Sequence, residues 1–196
     1  MKKKLFAILM TAMMIVASLA VVAFAGDWVG LRSAGSGNEV AVETQYFNNV
    51  EMQKDGKYKV IDTATMKKWI DSGKKIVLID AMPATQWTAA HIPGAVNCEA
   101  PMGKWMDKKF AWGEGQKTAL NKAVNYKSKA KAKKSKTVVV TYCGFVGCDR
   151  SHYAAKYIKS LGYKNVYRYV GGGAAWEDAG YDFVNAAGET VKAHAK

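Results

Sequence analysis

Cys143-Gly144-Phe145-Val146-Gly147-Cys148-Asp149-Arg150 follows the run Thr137-Val138-Val139-Val140-Thr141 and precedes a helix-patterned segment. A cysteine at the end of a buried strand, then a glycine-containing loop, then an arginine at a helix start, is a way to hold a thiolate. Successive loop amides can point inward as an anion-binding nest. The helix N-terminus adds partial positive charge. Both lower a thiol pKa and make the sulfur nucleophilic. A lone cysteine would more often be an inert packing residue, but the order strand, cysteine, loop, arginine, helix favours chemistry.

The flanking segments supply the architecture. Downstream, Ala154, Tyr157, Ile158 and Leu161 recur at i, i+3, i+4 and i+7, an amphipathic helix stopped by Gly162. Val166 to Val170 reads as a further strand, and Gly171-Gly172-Gly173 turns the chain into a helix bearing Trp176 and ending near Gly180. Upstream, Lys75 to Ala81 is an apolar run ending in Asp80, typical of a strand buried on both faces. Asp62 or Thr63 caps a short helix with Met66, Trp69 and Ile70 on its inner face, ended by Gly73. Trp87 to Ala90 is a short helix candidate, and Pro93-Gly94 turns into another short strand. Residues 98 to 136 are the least patterned, with a helix expected over Lys117 to Tyr126. Asp55-Gly56, between Val50–Gln53 and Lys57–Ile61, reads as a hairpin turn. Short apolar strands alternating with helices predict an α/β fold with a short, mainly parallel sheet flanked by helices. Ligands of such sheets sit at the carboxyl ends of strands, where Cys143 falls.

Four segments together resemble the rhodanese-like domain of the sulfurtransferase superfamily: VLIDAMP (Val77 to Pro83), AHIPGAVN (Ala90 to Asn97), VVVTYCGFVGCDRSHYAAKYIKSLGY (Val138 to Tyr163) and NVYRYVGGGAAW (Asn165 to Trp176). They span roughly residues 58 to 184 in family order. The resemblance implies that Cys143 is the nucleophile. It attacks a sulfane sulfur, as in thiosulfate or polysulfide, becomes a persulfide, and yields the outer sulfur to cyanide or a thiol. The amides from Gly144 to Arg150 (through Phe145, Val146, Gly147, Cys148 and Asp149) would line the substrate cradle, with Gly144 and Gly147 relaxing the backbone. Arg150 is expected either to orient an anionic donor or to brace the loop. Common single-domain members have four residues between cysteine and arginine, whereas six stand here, so the cradle resembles a subgroup with two loop cysteines. An arginine often found two positions after the second-strand aspartate is replaced here by Met82.

Asp80 is expected to keep a structural role near the loop, and His91 to brace its turn rather than catalyse. Cys148 is open to three readings: a resolving thiol, a second sulfur carrier, or a small loop residue. Cys98 is expected to be buried or merely near the site. Cys143, Cys148 and His152 offer three candidate metal ligands with no obvious fourth, so no metal and no cofactor are expected. A cysteine phosphatase would need five residues between cysteine and arginine and commonly a histidine before the cysteine; the chain has six residues and Tyr142. The competing function of another class is a non-turnover sulfur carrier or binding module serving a protein partner. The expected partners are a small sulfur-containing anion and a thiol or protein acceptor.

The chain ends and the composition set the setting. Lys2, Lys3 and Lys4, the apolar stretch Leu5 to Ala20, and Ala23-Phe24-Ala25 before Gly26 read as a cleaved secretory signal over residues 1–25. An exported, periplasmic protein without a stable membrane anchor after cleavage is expected. Residues 26–57 form an N-terminal extension and 185–196 a C-terminal tail. The formal net charge of the 196 residues is +13; without the three leader lysines, and with no acids before residue 26, it is +10. Six lysines fall between Lys127 and Lys136. Such a run reads as a solvated linker or helix end rather than a nucleic-acid site. It could also steer anions toward the loop. Three cysteines, Cys98, Cys143 and Cys148, are an odd count and leave at least one free thiol within the chain.

Overall fold

The computed structural model describes residues 39–103, 110–126 and 131–194. The signal segment lies outside the described residues. The elements, in chain order, are α1 (Glu39–Gly56), β1 (Lys59–Ile61), α2 (Thr63–Asp71), β2 (Val77–Asp80), α3 (Ala84–Ala89), β3 (Val96–Asn97), α4 (Gln116–Ala123), α5 (Lys131–Lys136), β4 (Val138–Tyr142), α6 (Arg150–Ser160), β5 (Asn165–Tyr169), α7 (Gly172–Asp178), β6 (Phe183–Val184) and β7 (Thr190–Val191).

Five strands form one parallel sheet, as expected; their order is β1-β5-β4-β2-β3. Alternation along the strands divides the core into two layers. Ile79, Val139 and Val166 pack under Ala154 and Ile158 of α6 and Leu120 of α4. Leu78, Val140 and Tyr142 face the other way, onto Met66 of α2 and Trp176 of α7. Ile79, Val139 and Val140 are fully buried, each worth about 1.5–3 kcal/mol of apolar transfer. Asp62 caps α2 through a 2.8 Å bond from the Thr65 amide.

Two sequence expectations are corrected. Residues 50–61 do not form a hairpin: Asp55 and Gly56 end the 18-residue helix α1, and the backbone reverses at Lys57 with a positive φ of 53°. The apolar residues of α1 are spread around its circumference, so no helical stripe announces it. Its seat is tertiary: Met52 is buried, and Asp55 accepts from Lys156 of α6 at 2.7 Å. The segment after residue 184 is not a plain tail, because β7 pairs antiparallel with β6.

The lysine run is partly helical, as α5. Lys134 donates to the Leu161 carbonyl at 2.9 Å, favourable charge at a helix C-terminus. The Cys143 loop meets the opposite end of α6, about 16 Å away along the helix axis. Lys134 therefore braces the far end of the domain, which gives no support to anion steering from that position.

Candidate active site

β4 delivers Cys143 to the carboxyl end of the central strand, and α6 starts at Arg150. Cys143 is 2% exposed. Its Sγ lies 3.1 Å from Ser151 Oγ and 3.2 Å from the Cys148 carbonyl oxygen, which accepts from the thiol in its protonated form. The Ser151 amide and the Cys148 thiol also act to lower the Cys143 thiol. Burial pushes the Cys143 thiol up and is the largest single influence. The Cys148 thiol, the Arg168 guanidinium and Ser151 together outweigh it and bring Cys143 down to about 7. Cys148 is driven the other way: its bond to Cys143 and its burial hold it protonated.

Arg168 is the residue the sequence reading missed. Along β5, Val166 and Arg168 share the face under α6, and the β4–β5 register sets Arg168 beside Thr141. Cys143 follows on that same face. Arg168 is 1% exposed. Its Nε donates to Ser151 Oγ at 2.8 Å, Nη2 to the Cys148 carbonyl at 2.7 Å, and Nη1 to Asn49 Oδ1 at 2.8 Å and Met52 sulfur at 3.3 Å. All four acceptors are neutral. A buried cation needs compensating charge, and the Arg168 charge acts on both the Cys143 sulfur and the Asp149 carboxyl. Because Nε occupies one lone pair of Ser151 Oγ, the serine proton is free to point at Cys143. The available signal was an arginine in an inward slot of a buried strand, VYRYV.

The loop residues divide. Arg150 Nη1 donates to Glu99 at 3.2 Å and to the Ala100 carbonyl. Of its two expected roles, it braces the loop against the segment after β3. Cys148 is buried beside Cys143 in the same cluster, so the chain's own second thiol occupies part of the loop's interior. Asp149 is 5% exposed, and burial raises its carboxyl above the ordinary range against the pull of nearby donors and Arg168. Phe145 is half-buried, and Val146 and Gly147 are exposed at the loop tip. Neither Gly144 nor Gly147 has a positive φ. The glycine the site needs is Gly172, at φ +62°: a Cβ there would sit 2.3 Å from the Cys143 carbonyl oxygen. That close approach lets the Gly173 and Ala174 amides of α7 bind the Cys143 and Gly144 carbonyls at 3.0 and 2.8 Å.

The remaining candidates are scaffolding. Asp80 accepts from Tyr142 Oη at 2.7 Å and the Met82 amide at 2.9 Å, tying β2 to the residue before Cys143. Burial raises its carboxyl to about 6 against those bonds. His91 stacks on Trp87 at 4.2 Å and bridges to Val184, bracing its turn. His152 is turned toward Tyr58 Oη at 3.1 Å and Asp55 at 3.3 Å. Burial and Arg168 hold it neutral, near 3, so its Asp55 contact is not an ion pair. Cys98 is buried in the same apolar cluster as Cys143 and Cys148. From α1, Asn49 joins the site: it accepts from Arg168 and donates to the Val146 carbonyl at 3.2 Å.

Residues 62–179 match the family model for the rhodanese-like domain. No curated protein matches the chain significantly. Among solved structures, a thiosulfate sulfurtransferase from Pseudomonas aeruginosa superposes with a TM-score of 0.51 at 16% identity, over 78% of this chain and 24% of that one. A Bacillus halodurans protein gives 0.48 at 20% identity, over 81% and 95%. The polysulfide-sulfur transferase homodimer of Wolinella succinogenes gives 0.48 at 14% identity, over 76% and 96%.

Proposed function

The chain belongs to the rhodanese-like domain family, and from that premise we propose that it is a sulfurtransferase working through a persulfide on Cys143. The Cys143 thiolate attacks the outer sulfur of a donor such as thiosulfate. The donor S–S bond breaks, sulfite leaves with the electron pair, and Cys143 carries one added sulfur. A thiophilic acceptor, cyanide or a thiol, then attacks that terminal sulfur and restores the thiolate.

The observation that carries this reading is the buried Arg168, whose four acceptors are neutral and whose charge faces Cys143. It keeps the sulfur anionic near neutral pH. The Ser151 amide and hydroxyl are donors already in place for an anion at the same sulfur. Arg150, held inward, keeps the loop closed around them. An exported location, with a small sulfur anion as donor and a thiol or protein as acceptor, completes the proposal.

Intact mass of the reduced chain after anaerobic exposure to thiosulfate or polysulfide tests it. In a Cys148→Ser background one sulfur is gained, with or without Cys98→Ser, and none is gained once Cys143→Ser is added. Cyanide discharges the load. Uptake that survives Cys143→Ser overturns the assignment. Loading without regeneration by small acceptors would make the protein a dedicated carrier.

A further inference from the structure

Single-sulfur transfer uses one cysteine, yet a second is built into the same loop. All three cysteines are free thiols. The loop doubles back through a 3.0 Å bond from the Cys148 amide to the Phe145 carbonyl. That turn lays the Cys148 carbonyl 3.2 Å from Cys143 Sγ and sets both cysteines in one buried cluster. Arg168 clamps the arrangement by holding the Cys148 carbonyl at 2.7 Å. The Gly144 and Arg150 amides act to lower the Cys148 thiol, favouring charge that develops on it.

We propose that Cys148 is a resolving thiol that discharges the Cys143 persulfide internally, releasing hydrosulfide and leaving a Cys143–Cys148 disulfide. The proposal rests on persulfide formation at Cys143. The Cys148 sulfur attacks Cys143 Sγ, and the new S–S bond forms as the bond to the outer sulfur breaks. The outer sulfur takes the electron pair and the Cys148 proton and departs as hydrosulfide. The sulfane sulfur is reduced by two electrons and the two cysteines are oxidised by two, so one discharge needs no outside oxidant or reductant. While Cys143 is a thiolate, its charge and the burial of Cys148 keep the second proton in place. Loading moves that charge outward to the terminal sulfur, next to the proton that must follow it. A dithiol resets the pair. The second activity is therefore reductive sulfide release, in place of sulfur donation.

The test is anaerobic reaction of the reduced chain with one equivalent of thiosulfate, and separately of glutathione persulfide, with a no-donor control. For thiosulfate, sulfite reports loading and sulfide reports discharge. Wild type is expected to release sulfite and sulfide in equal amounts and to end two hydrogens lighter, with a Cys143–Cys148 cross-linked peptide. Cys148→Ser and Cys148→Ala are expected to release sulfite, lose sulfide release and keep the added sulfur. Dithiothreitol should restore wild type for a second round. A wild-type protein that loads and holds the sulfur on Cys143 overturns the proposal while leaving sulfur transfer intact. So does a sulfur found on Cys148, which would make it a relay. No sulfur uptake by any form from either donor overturns both readings.

Discussion

Cys98 and Cys143 lie just past the carboxyl ends of β3 and β4 in one sheet, 3% and 2% exposed. Their thiols are nevertheless pushed in opposite directions. Burial, then the Asp80 carboxylate, drive Cys98 up to about 11. Burial acts on Cys143 in the same sense, but the Cys148 thiol, Arg168 and Ser151 reverse it, to about 7. Burial therefore does not separate a reactive cysteine from an inert one. The separation comes from the sign of the nearest fixed charge and from the donors aimed at the sulfur.

The contrast can be broken most severely at Gly172. Gly172→Ala places a Cβ against the Cys143 carbonyl and forces a residue with a side chain into a left-handed backbone. A loss on the order of 2–4 kcal/mol in urea unfolding is expected, with Cys143 reactivity falling and Cys98 unchanged. Equal unfolding free energies in the two proteins would show that α7 does not hold the loop.

Arg168→Met removes the cation alone. The midpoint of the alkylation-rate profile against pH should move from about 7 for Cys143 to the ordinary thiol range or above. The thiolate fraction at neutral pH then falls by roughly two orders of magnitude. Arg168→Lys should recover part of the shift. An unmoved midpoint in Arg168→Met would remove the buried charge from the explanation.

Asp80 supplies the other side of the contrast. Its carboxyl is raised by burial to about 6 from an ordinary 3.8. The folded chain thus holds that proton more tightly than the unfolded chain does. The resulting stabilisation is complete below about 4 and lost as pH rises through 6. Wild type should gain up to about 2–3 kcal/mol over Asp80→Asn between pH 7 and pH 4. Parallel stability curves for the two proteins would contradict it. Ser151→Ala is the gentlest change: the amide stays and the hydroxyl goes, so the Cys143 midpoint should rise by about one unit or less.

Local order was legible where chemistry and periodicity fall in one stretch of chain. The Val-rich β4, the cysteine loop, the α6 stripe ending at Gly162 and the Asp62 cap could all be read residue by residue. Asp80 bonds Tyr142 and the Met82 amide, and His91 stacks on Trp87, contacts that close a local strand end and a local turn. Asp149 is buried, which its position in the loop did not reveal. The hairpin at Asp55-Gly56 failed because α1 lacks an apolar stripe and is held by α6, a partner far along the chain.

By itself the sequence determined the parallel α/β sheet, the placement of Cys143 at a strand end before a helix, and the presence of a second thiol in the same loop. These follow from alternation, helical spacing and turn chemistry, which act over a few residues. Only the tertiary structure decided what makes Cys143 a thiolate. Pairing of β5 beside β4 brings Arg168 next to Thr141 and so under Cys143, and packing of α1 adds Asn49 to hold the guanidinium. Strand register and helix docking are long-range properties, and no local pattern encodes which buried arginine will face which sulfur.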